Sequence, residues 1–445
     1  MKKISIIGAG GVIFTKNLVT DILLKPGLND FKICLMDIHQ ERLNNSLIII
    51  QKICDQLAVK PDIEHTTYLH KALEGASYVF AIFRTGTIAE QKIEYEIPAK
   101  YGIKQVVGDT LCPGGIFRAL RVLPPLFELA QEMEKICPQA YLFNYVNPMS
   151  INTWALQKAF KIKIFGLCHS VQHTASQLAG YLGIKKEDIT FRVAGVNHQA
   201  FFLQLEKNGQ NLYPGLEKAM QKPEIYKKDR VRFEMFKHFG YFVTESSGHN
   251  SEYNPYFRKR SDLIDTYCQA EPPFSEVPYE KMFAGESGAS LEVCTLMQKE
   301  TENKIKNLLA GREEIKFEES CEYGIKIIEA METGKMVSAN INVMNEGVIQ
   351  NLPFESCVEV PCLVDRSGIH ACKIGKIPEV LAGLNRSMIN VQSLTVEGFL
   401  EKDRQKIFHA VCLDPLASAV CSLSEIKQMT DEMFEALADY ISPDF

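Results

Sequence analysis

A thiol and two imidazoles fall where this chain changes from apolar strand to polar turn. In Ile164-Phe-Gly-Leu-Cys168-His169-Ser170-Val171, Cys168 and His169 lie between a strand and the helix expected to follow it. Ala194-Gly195-Val196-Asn197-His198 ends another strand on a second imidazole. At such a rim, where α/β sheets bind their ligands, a helix N-terminus favours the Cys168 thiolate. A thiolate and an imidazole can hold a divalent metal and leave positions open for substrate and water. By residue type alone Cys168 and His198 are more often core residues than ligands, and only their context can move that balance.

A second chemical signal sits at the start. Gly8-Ala9-Gly10-Gly11 follows an apolar run over 3–7 and precedes an amphipathic stretch over about 15–24. Glycines let the backbone turn tightly and approach a pyrophosphate, whose charge then rests on amides at the helix N-terminus. Position 13 is Ile where the full dinucleotide fingerprint has a third glycine. Asp37, ending the next apolar run, is placed to hydrogen-bond the adenosine ribose diol and to repel a 2′-phosphate, which favours NAD over NADP. Gly8, Gly10, Gly11 and Asp37 are therefore the candidate cofactor-binding residues. The bland alternative is a glycine turn joining strand to helix without a ligand.

The elements that must position these groups alternate. Strands are expected over 3–7, 32–36, 78–83, 141–145 and 162–167, with helices over 15–24, 41–57, 117–136 and 149–160. That alternation predicts an α/β fold with a Rossmann-type, doubly wound parallel sheet covered by helices. Further on the pattern becomes α+β, with a hairpin over 201–212 turning at Asn208-Gly209, strands over 336–343 and 357–364, and helices over 391–419 and 424–441. We expect an NAD-binding domain over 1–190 and a substrate, metal and oligomerisation domain over 191–445.

Composition bounds the function. The chain has 445 residues, 46% hydrophobic and 23% charged, as ordinary globular proteins have, which excludes a disordered or fibrous protein. Its 49 Lys and Arg against 55 Asp and Glu leave a net charge of −6, so no basic surplus exists for nucleic acid or an anionic membrane. Thirteen cysteines without a CxxC pair point to a reducing cytoplasm. The apolar start mimics a signal peptide, but its glycines interrupt the apolar segment, and no apolar run approaches the ~20 residues a bilayer needs. We expect a soluble, cytoplasmic protein.

Longer motifs now become specific. Gly8-Ala-Gly is joined by Asp109-Thr-Leu-Cys-Pro-Gly-Gly-Ile-Phe-Arg-Ala-Leu-Arg121, Asn144-Tyr-Val-Asn147-Pro148-Met, Cys168-His-Ser-Val171 and Gly195-Val-Asn-His198. Then follow Gly240-Tyr-Phe-Val-Thr-Glu-Ser-Ser247, Ser251-Glu-Tyr253, Asn351-Leu-Pro353 and Cys357-Val-Glu-Val360. In this order the chain resembles glycoside hydrolase family 4 nearly end to end, most closely its melibiase-type α-galactosidases.

The resemblance implies a bound NAD, a divalent cation, usually manganese, and a homodimer or homotetramer. It implies that NAD oxidises the sugar at C3, that the ketone acidifies C2–H, and that the glycosidic oxygen leaves by elimination before water adds. A carbon acid beside a ketone is still too weak for a side-chain base at neutral pH, so a cation must stabilise the enolate. By the resemblance Cys168 and His198 hold that cation, and Tyr253 is the base at C2, with Tyr256 close enough in sequence to be confused with it. His169 stands where phospho-glycosidase members have an aspartate that looks like the general acid, and reads equally as acid or as substrate hydrogen-bonder. Asn147 matches a position that contacts sugar hydroxyls. Asp109 and Arg118 lie on the neighbouring loop, where either reads equally as a cap or a surface ion pair; Asp109 is taken as a substrate residue.

One departure stands out in Phe83-Arg84-Thr-Gly86, where melibiase-type members are expected to have an uncharged residue. Arginine reads carboxylates and phosphates in bidentate fashion, so Arg84 keeps open an α-galacturonidase or other uronate-cleaving activity and, less so, a 6-phospho-glycosidase. A salt bridge from Arg84 to Glu90 or Glu94 is the structural alternative. Two other classes compete: an NAD-dependent 2-hydroxy acid dehydrogenase, against which the Cys168 and His198 pair counts, and an NAD-sensing binding module.

Overall fold

The apolar runs at 4–7, 33–36 and 78–81 lack polar alternation because both faces of their strands are covered. The computed structural model describes residues 2–271, 278–314, 318–320 and 322–445. Six parallel strands, β1 (Lys3–Ile7), β2 (Lys32–Met36), β3 (Asp62–Thr66), β4 (Ala76–Ala81), β5 (Tyr141–Asn144) and β6 (Lys163–Gly166), pair in the order β3-β2-β1-β4-β5-β6. This is the doubly wound arrangement, and its order reverses between β1 and β4, where such sheets bind ligands beyond the strands' carboxyl ends.

The later strands are β7 (Thr190–Val196), β8 (Gln199–Lys207), β9 (Gln210–Asn211), β10 (Val337–Met344), β11 (Cys357–Asp365) and β12 (Gly368–Ala371). They extend the same sheet in the order β6-β10-β11-β7-β8-β9, with β12 on β11. The parallel and antiparallel parts join narrowly, through Asn342 on β10 opposite Gly166 on β6, and within the antiparallel part β11 meets β7 at Glu359 opposite Gly195. The turn at Asn208-Gly209 has both residues at positive φ, 52° and 76°, which is the hairpin geometry expected of that pair.

Two helix expectations are corrected. The helix expected over 117–136 begins at Cys112 and runs to Ile136. Pro113 costs no hydrogen bond in a first turn, and the two glycines permit close packing rather than a break. A Cβ on Gly114 would lie 2.7 Å from the Gln105 amide, and one on Gly115 2.8 Å from the Thr110 carbonyl carbon. The stretch over 391–419 is not one helix but parts of three, Glu379–Glu401, Arg404–Leu413 and Pro415–Val420. Asp403 and Asp414 cap the second and third through their carboxylates, and Pro415 opens the third. Asp414 also accepts from the Cys112 N–H at 2.9 Å, fixing the start of the long helix behind Asp109. No helix among the described residues is long and apolar enough to cross a membrane.

Candidate active site

Apart from His198, each site candidate named from the first half of the chain lies in a segment that follows a parallel strand or leads into a helix. After β1, Gly8 adopts φ +98°, and a Cβ there would stand 2.6 Å from the Phe83 backbone. The Gly10 N–H donates to Asp37 Oδ2 at 2.8 Å and the His39 N–H to Oδ1 at 2.9 Å, so the carboxylate that follows β2 faces the glycine turn. Gly11 precedes the helix Val12–Leu23, whose first amides are free for an anion. A side chain at Gly10 would strike Asp37 at 2.6 Å, so the close approach of this carboxylate to the turn requires glycine at position 10.

His198 occupies the two-residue turn between β7 and β8 with φ +67°, a conformation that costs a side chain about 1–3 kcal/mol and must be held by its surroundings. Asn385 does this: its Oδ1 accepts from the Val196 N–H at 3.1 Å, and its amide donates to the Gln199 carbonyl at 2.9 Å. Beyond β6, the Cys168 N–H donates to the Tyr323 hydroxyl at 3.0 Å, and that hydroxyl donates to the Asn340 carbonyl at 2.8 Å. So held, Cys168 Sγ and His198 Nε2 stand 3.4 Å apart. Burial opposes the thiolate, but His198 beside it brings Cys168 down to about 7. Burial likewise opposes the imidazolium, but the Cys168 and Glu245 charges lift His198 to about 10.

Sequence reasoning missed two neighbours of this pair. Glu245 Oε2 is 3.7 Å from His198 Nε2, and Glu245 Oε1 is 3.4 Å from His249 Nδ1. Their donor atoms fall into two groups within metal-ligand reach of one another: Cys168, His198 and Glu245, and Asp109, His198 and His249. A thiolate, an imidazole nitrogen and a carboxylate oxygen are the donor types a divalent transition-metal ion accepts. Glu245 and His249 lie four residues apart in the stretch 240–253 already marked by its motif, and that spacing was the available signal.

Asp109 is neither a cap nor a surface ion pair. Its Oδ2 accepts from the Asn147 amide at 3.1 Å, its Oδ1 accepts from the Thr110 hydroxyl at 2.8 Å, and His249 Nε2 lies 3.5 Å away. Burial works against this carboxylate, but His249 and then Arg118 hold it far below the usual range. Asn147 is set by its own loop, where Asn144 Oδ1 accepts from the Val146 N–H and the Asn152 amide donates to the Val146 carbonyl.

Tyr253 ends the helix Ser247–Tyr253, 2% exposed, its ring 6.2 Å from that of His249, which is 5.1 Å from His198. Its hydroxyl is buried with no hydrogen-bond partner among the described residues, an orphan that a substrate can satisfy. Burial, with Asp109 and Glu252 nearby, pushes its phenol well above the ordinary value. Tyr256 is 49% exposed, which separates the two tyrosines. Glu252 accepts from the N–H groups of Val106, Val107 and Gly108 and so shapes the loop leading to Asp109. His169 is half-buried, with Nδ1 3.5 Å from Glu322 Oε1, and Glu322 raises it to about 9 against the effect of burial.

Arg84 does not form the salt bridge to Glu90 or Glu94 that was the alternative to a substrate contact. Glu94 pairs with buried Arg121 and Glu90 caps its own helix at Thr87, so the exposed Arg84 instead donates to the neutral Gln91 amide.

Residues 3–184 match the family described as "Family 4 glycosyl hydrolase", and 193–417 match its C-terminal domain. An α-galactosidase of Bacillus subtilis (strain 168) is 39% identical, with 99% of both chains covered. An α-galacturonidase of Lachnoclostridium phytofermentans is 30% identical, over 99% of this chain and 96% of that one. The structure of a 6-phospho-alpha-glucosidase from gut microorganisms in complex with NAD and Mn2+ matches with a TM-score of 0.81 at 20% identity, covering 99% of each chain, a likeness of fold. With both halves matched and a relative aligned from end to end, the chain belongs to family 4 of the glycosyl hydrolases.

Proposed function

We propose that this chain is an α-galactosidase that requires NAD and a divalent cation, Mn2+ foremost. The observation that carries the reading is the meeting of Cys168 Sγ and His198 Nε2 at 3.4 Å on the rim that also holds the glycine turn. The 39% identity to an α-galactosidase over 99% of both chains supports the substrate. Gly8, Gly10, Gly11 and Asp37 hold the dinucleotide, and Cys168 and His198 hold the ion. Bound there, the two supply a hydride acceptor and a Lewis acid.

The chain's own residues do the rest. Asn147 and Asp109 orient the sugar hydroxyls. Tyr253, as the phenolate that the charge of a bound cation would favour, takes the proton from C2, and His169, an imidazolium at neutral pH, gives one to the glycosidic oxygen. The 2-hydroxy acid dehydrogenase reading gives way to the family membership, and a donor set of this kind has no use in direct hydride transfer to a hydroxy acid.

A second reading, α-galacturonide cleavage, is favoured by Arg84, which has no carboxylate partner among the described residues. A panel of p-nitrophenyl α-galactoside, α-galacturonide, α-glucoside and 6-phospho-α-galactoside, with NAD, Mn2+ and a thiol reductant, decides between them. Highest kcat/KM on the galactoside supports the main reading, and highest on the galacturonide replaces it. We place the protein in the cytoplasm, to which its twelve described free cysteines are suited, as a homodimer or homotetramer. We further divide it into a nucleotide domain over 1–190 and a substrate, metal and oligomerisation domain over 191–445, with Cys168 and His198 facing each other across the division.

A further inference from the structure

His198 has two nitrogens, and their partners differ. Nδ1 lies 2.8 Å from the Thr110 hydroxyl, which itself lies 2.8 Å from Asp109 Oδ1. A carboxylate only accepts, so the single Thr110 proton goes to Asp109. The Thr110 oxygen must then accept from His198, which puts the proton on Nδ1 and the lone pair on Nε2 of the neutral ring. This hydroxyl relay to a carboxylate is the outer-shell device that fixes a ligating histidine. Nε2, the nitrogen left to bind, faces Cys168 Sγ at 3.4 Å and Glu245 Oε2 at 3.7 Å.

The competing group, Asp109 with His198 and His249, is spent on protein partners. Asp109 Oδ1 is engaged by Thr110 and faces His249 Nε2 at 3.5 Å, while Oδ2 accepts from Asn147. Glu245 has only one oxygen so occupied: Oε1 is near His249 Nδ1, and Oε2 is turned to the Cys168 and His198 pair. Its backbone is in the left-handed region at φ +72°, which a glutamate rarely adopts. A buried scaffold keeps it there. The Glu245 N–H donates to Thr174 Oγ1 at 3.2 Å, Arg232 Nη1 donates to the same oxygen at 3.2 Å, and Arg232 is paired with Asp229 out of solvent. Ser247 Oγ, two residues beyond Glu245, donates to Asp229 as well.

We infer that Glu245 is the third protein ligand of the divalent ion, joining Cys168 and His198 through Oε2. The inference rests on the metal-dependent reading above. It assigns a hard oxygen to a site otherwise made of a soft thiolate and an imidazole, and so accounts for how this centre would retain a hard ion such as Mn2+. It also gives the Asp229, Arg232 and Thr174 network a positioning role, to hold that oxygen in place.

The test is direct titration of the full-length chain with metal, after chelation and dialysis with NAD present. Mn2+ binding is followed by loss of the free-ion electron paramagnetic resonance signal, and Cd2+ binding by thiolate-to-metal absorption. In Glu245→Gln, Mn2+ affinity should fall by at least the ~10–100-fold that loss of an outer-shell partner costs. Cd2+ affinity should fall no more than a few-fold, because the thiolate and imidazole remain. Equal losses for both ions, as a folding defect or a merely structural glutamate would give, overturn the inference. So does unchanged Mn2+ affinity. If the parent chain binds neither ion, the metal-dependent reading falls with it; if the parent binds Mn2+ and only the variant pattern fails, that reading stands alone.

Discussion

The Asn147 amide donates to the Asp109 carboxylate across 3.1 Å, tying the loop after β5 to the segment that opens the long helix Cys112–Ile136. Two residues far apart in sequence thereby present one polar face beside His249 and His198. If that face orients the sugar, Asp109→Asn should raise KM and lower kcat/KM by about 10- to 100-fold, the value of one charge-assisted hydrogen bond of ~1.5–3 kcal/mol. Steady-state kinetics on the α-galactoside check this, and a KM equal to the parent's would remove Asp109 from the sugar.

The parts of this site that could be read from sequence are those whose signal is local. A glycine turn behind a buried strand, an acid ending the next strand, and Cys168 between strand and helix all declare themselves within a few residues. Glu245 and His249 do not, because their meaning comes from the β7–β8 turn that brings His198 against them. The two readings of Arg84 could not be separated for the same reason: Glu90 and Glu94 are within reach along the helix, but Thr87 and Arg121 claim them. The helix around Gly114 and Gly115 began earlier than its composition implied, since those glycines admit Gln105 and Thr110 rather than end the helix. Where the long C-terminal apolar pattern broke, capping aspartates outweighed the helical periodicity.

Arg84 offers a test of substrate charge. Its guanidinium rests on a neutral amide and keeps its whole charge for a ligand. Arg84→Gln should therefore harm galacturonide cleavage by about tenfold or more relative to galactoside cleavage if a uronate is the natural substrate, again the scale of one charge-assisted contact. Equal effects on both substrates, measured as the ratio of their kcat/KM values, would make the arginine structural.

Glu359 predicts how stability follows pH. It is fully buried on β11, its Oε2 3.4 Å from the Asn197 amide and its other oxygen unpartnered. Burial, then the Cys168 thiolate, raise it to about 8, against about 4.3 in an unfolded chain. Between those values the folded chain keeps a proton that the unfolded chain has lost. Its stabilising contribution is thus complete below about pH 4.3 and is lost as pH rises through 8, at up to about 1.4 kcal/mol per pH unit. Glu359→Gln stays neutral throughout. The variant's Tm should gain on the parent's between pH 5 and pH 9, measured by thermal unfolding of the metal-free chain; a constant difference would mean that the glutamate is ionised in the fold.

The last prediction concerns Tyr253 and rests on the order of steps. A phenol held above its ordinary pKa by burial is a strong base once ionised, and the charge of a bound divalent cation is what would make ionisation affordable at neutral pH. Its hydroxyl makes no hydrogen bond that the fold needs, so Tyr253→Phe should leave stability, NAD affinity and Mn2+ affinity within about twofold of the parent. Loss of a positioned base costs ~10²–10⁴ in rate, and a carbon acid this weak belongs near the upper end. Oxidation at C3 precedes proton removal at C2, so the variant should still form bound NADH on mixing with substrate, seen by its absorbance, while exchange of solvent deuterium into C2 of the product disappears. Exchange at the parent's rate would shift the base to another group and leave Tyr253 as packing. Loss of the NADH signal together with exchange would mean that the phenol acts before C2, in binding the sugar or in the oxidation itself.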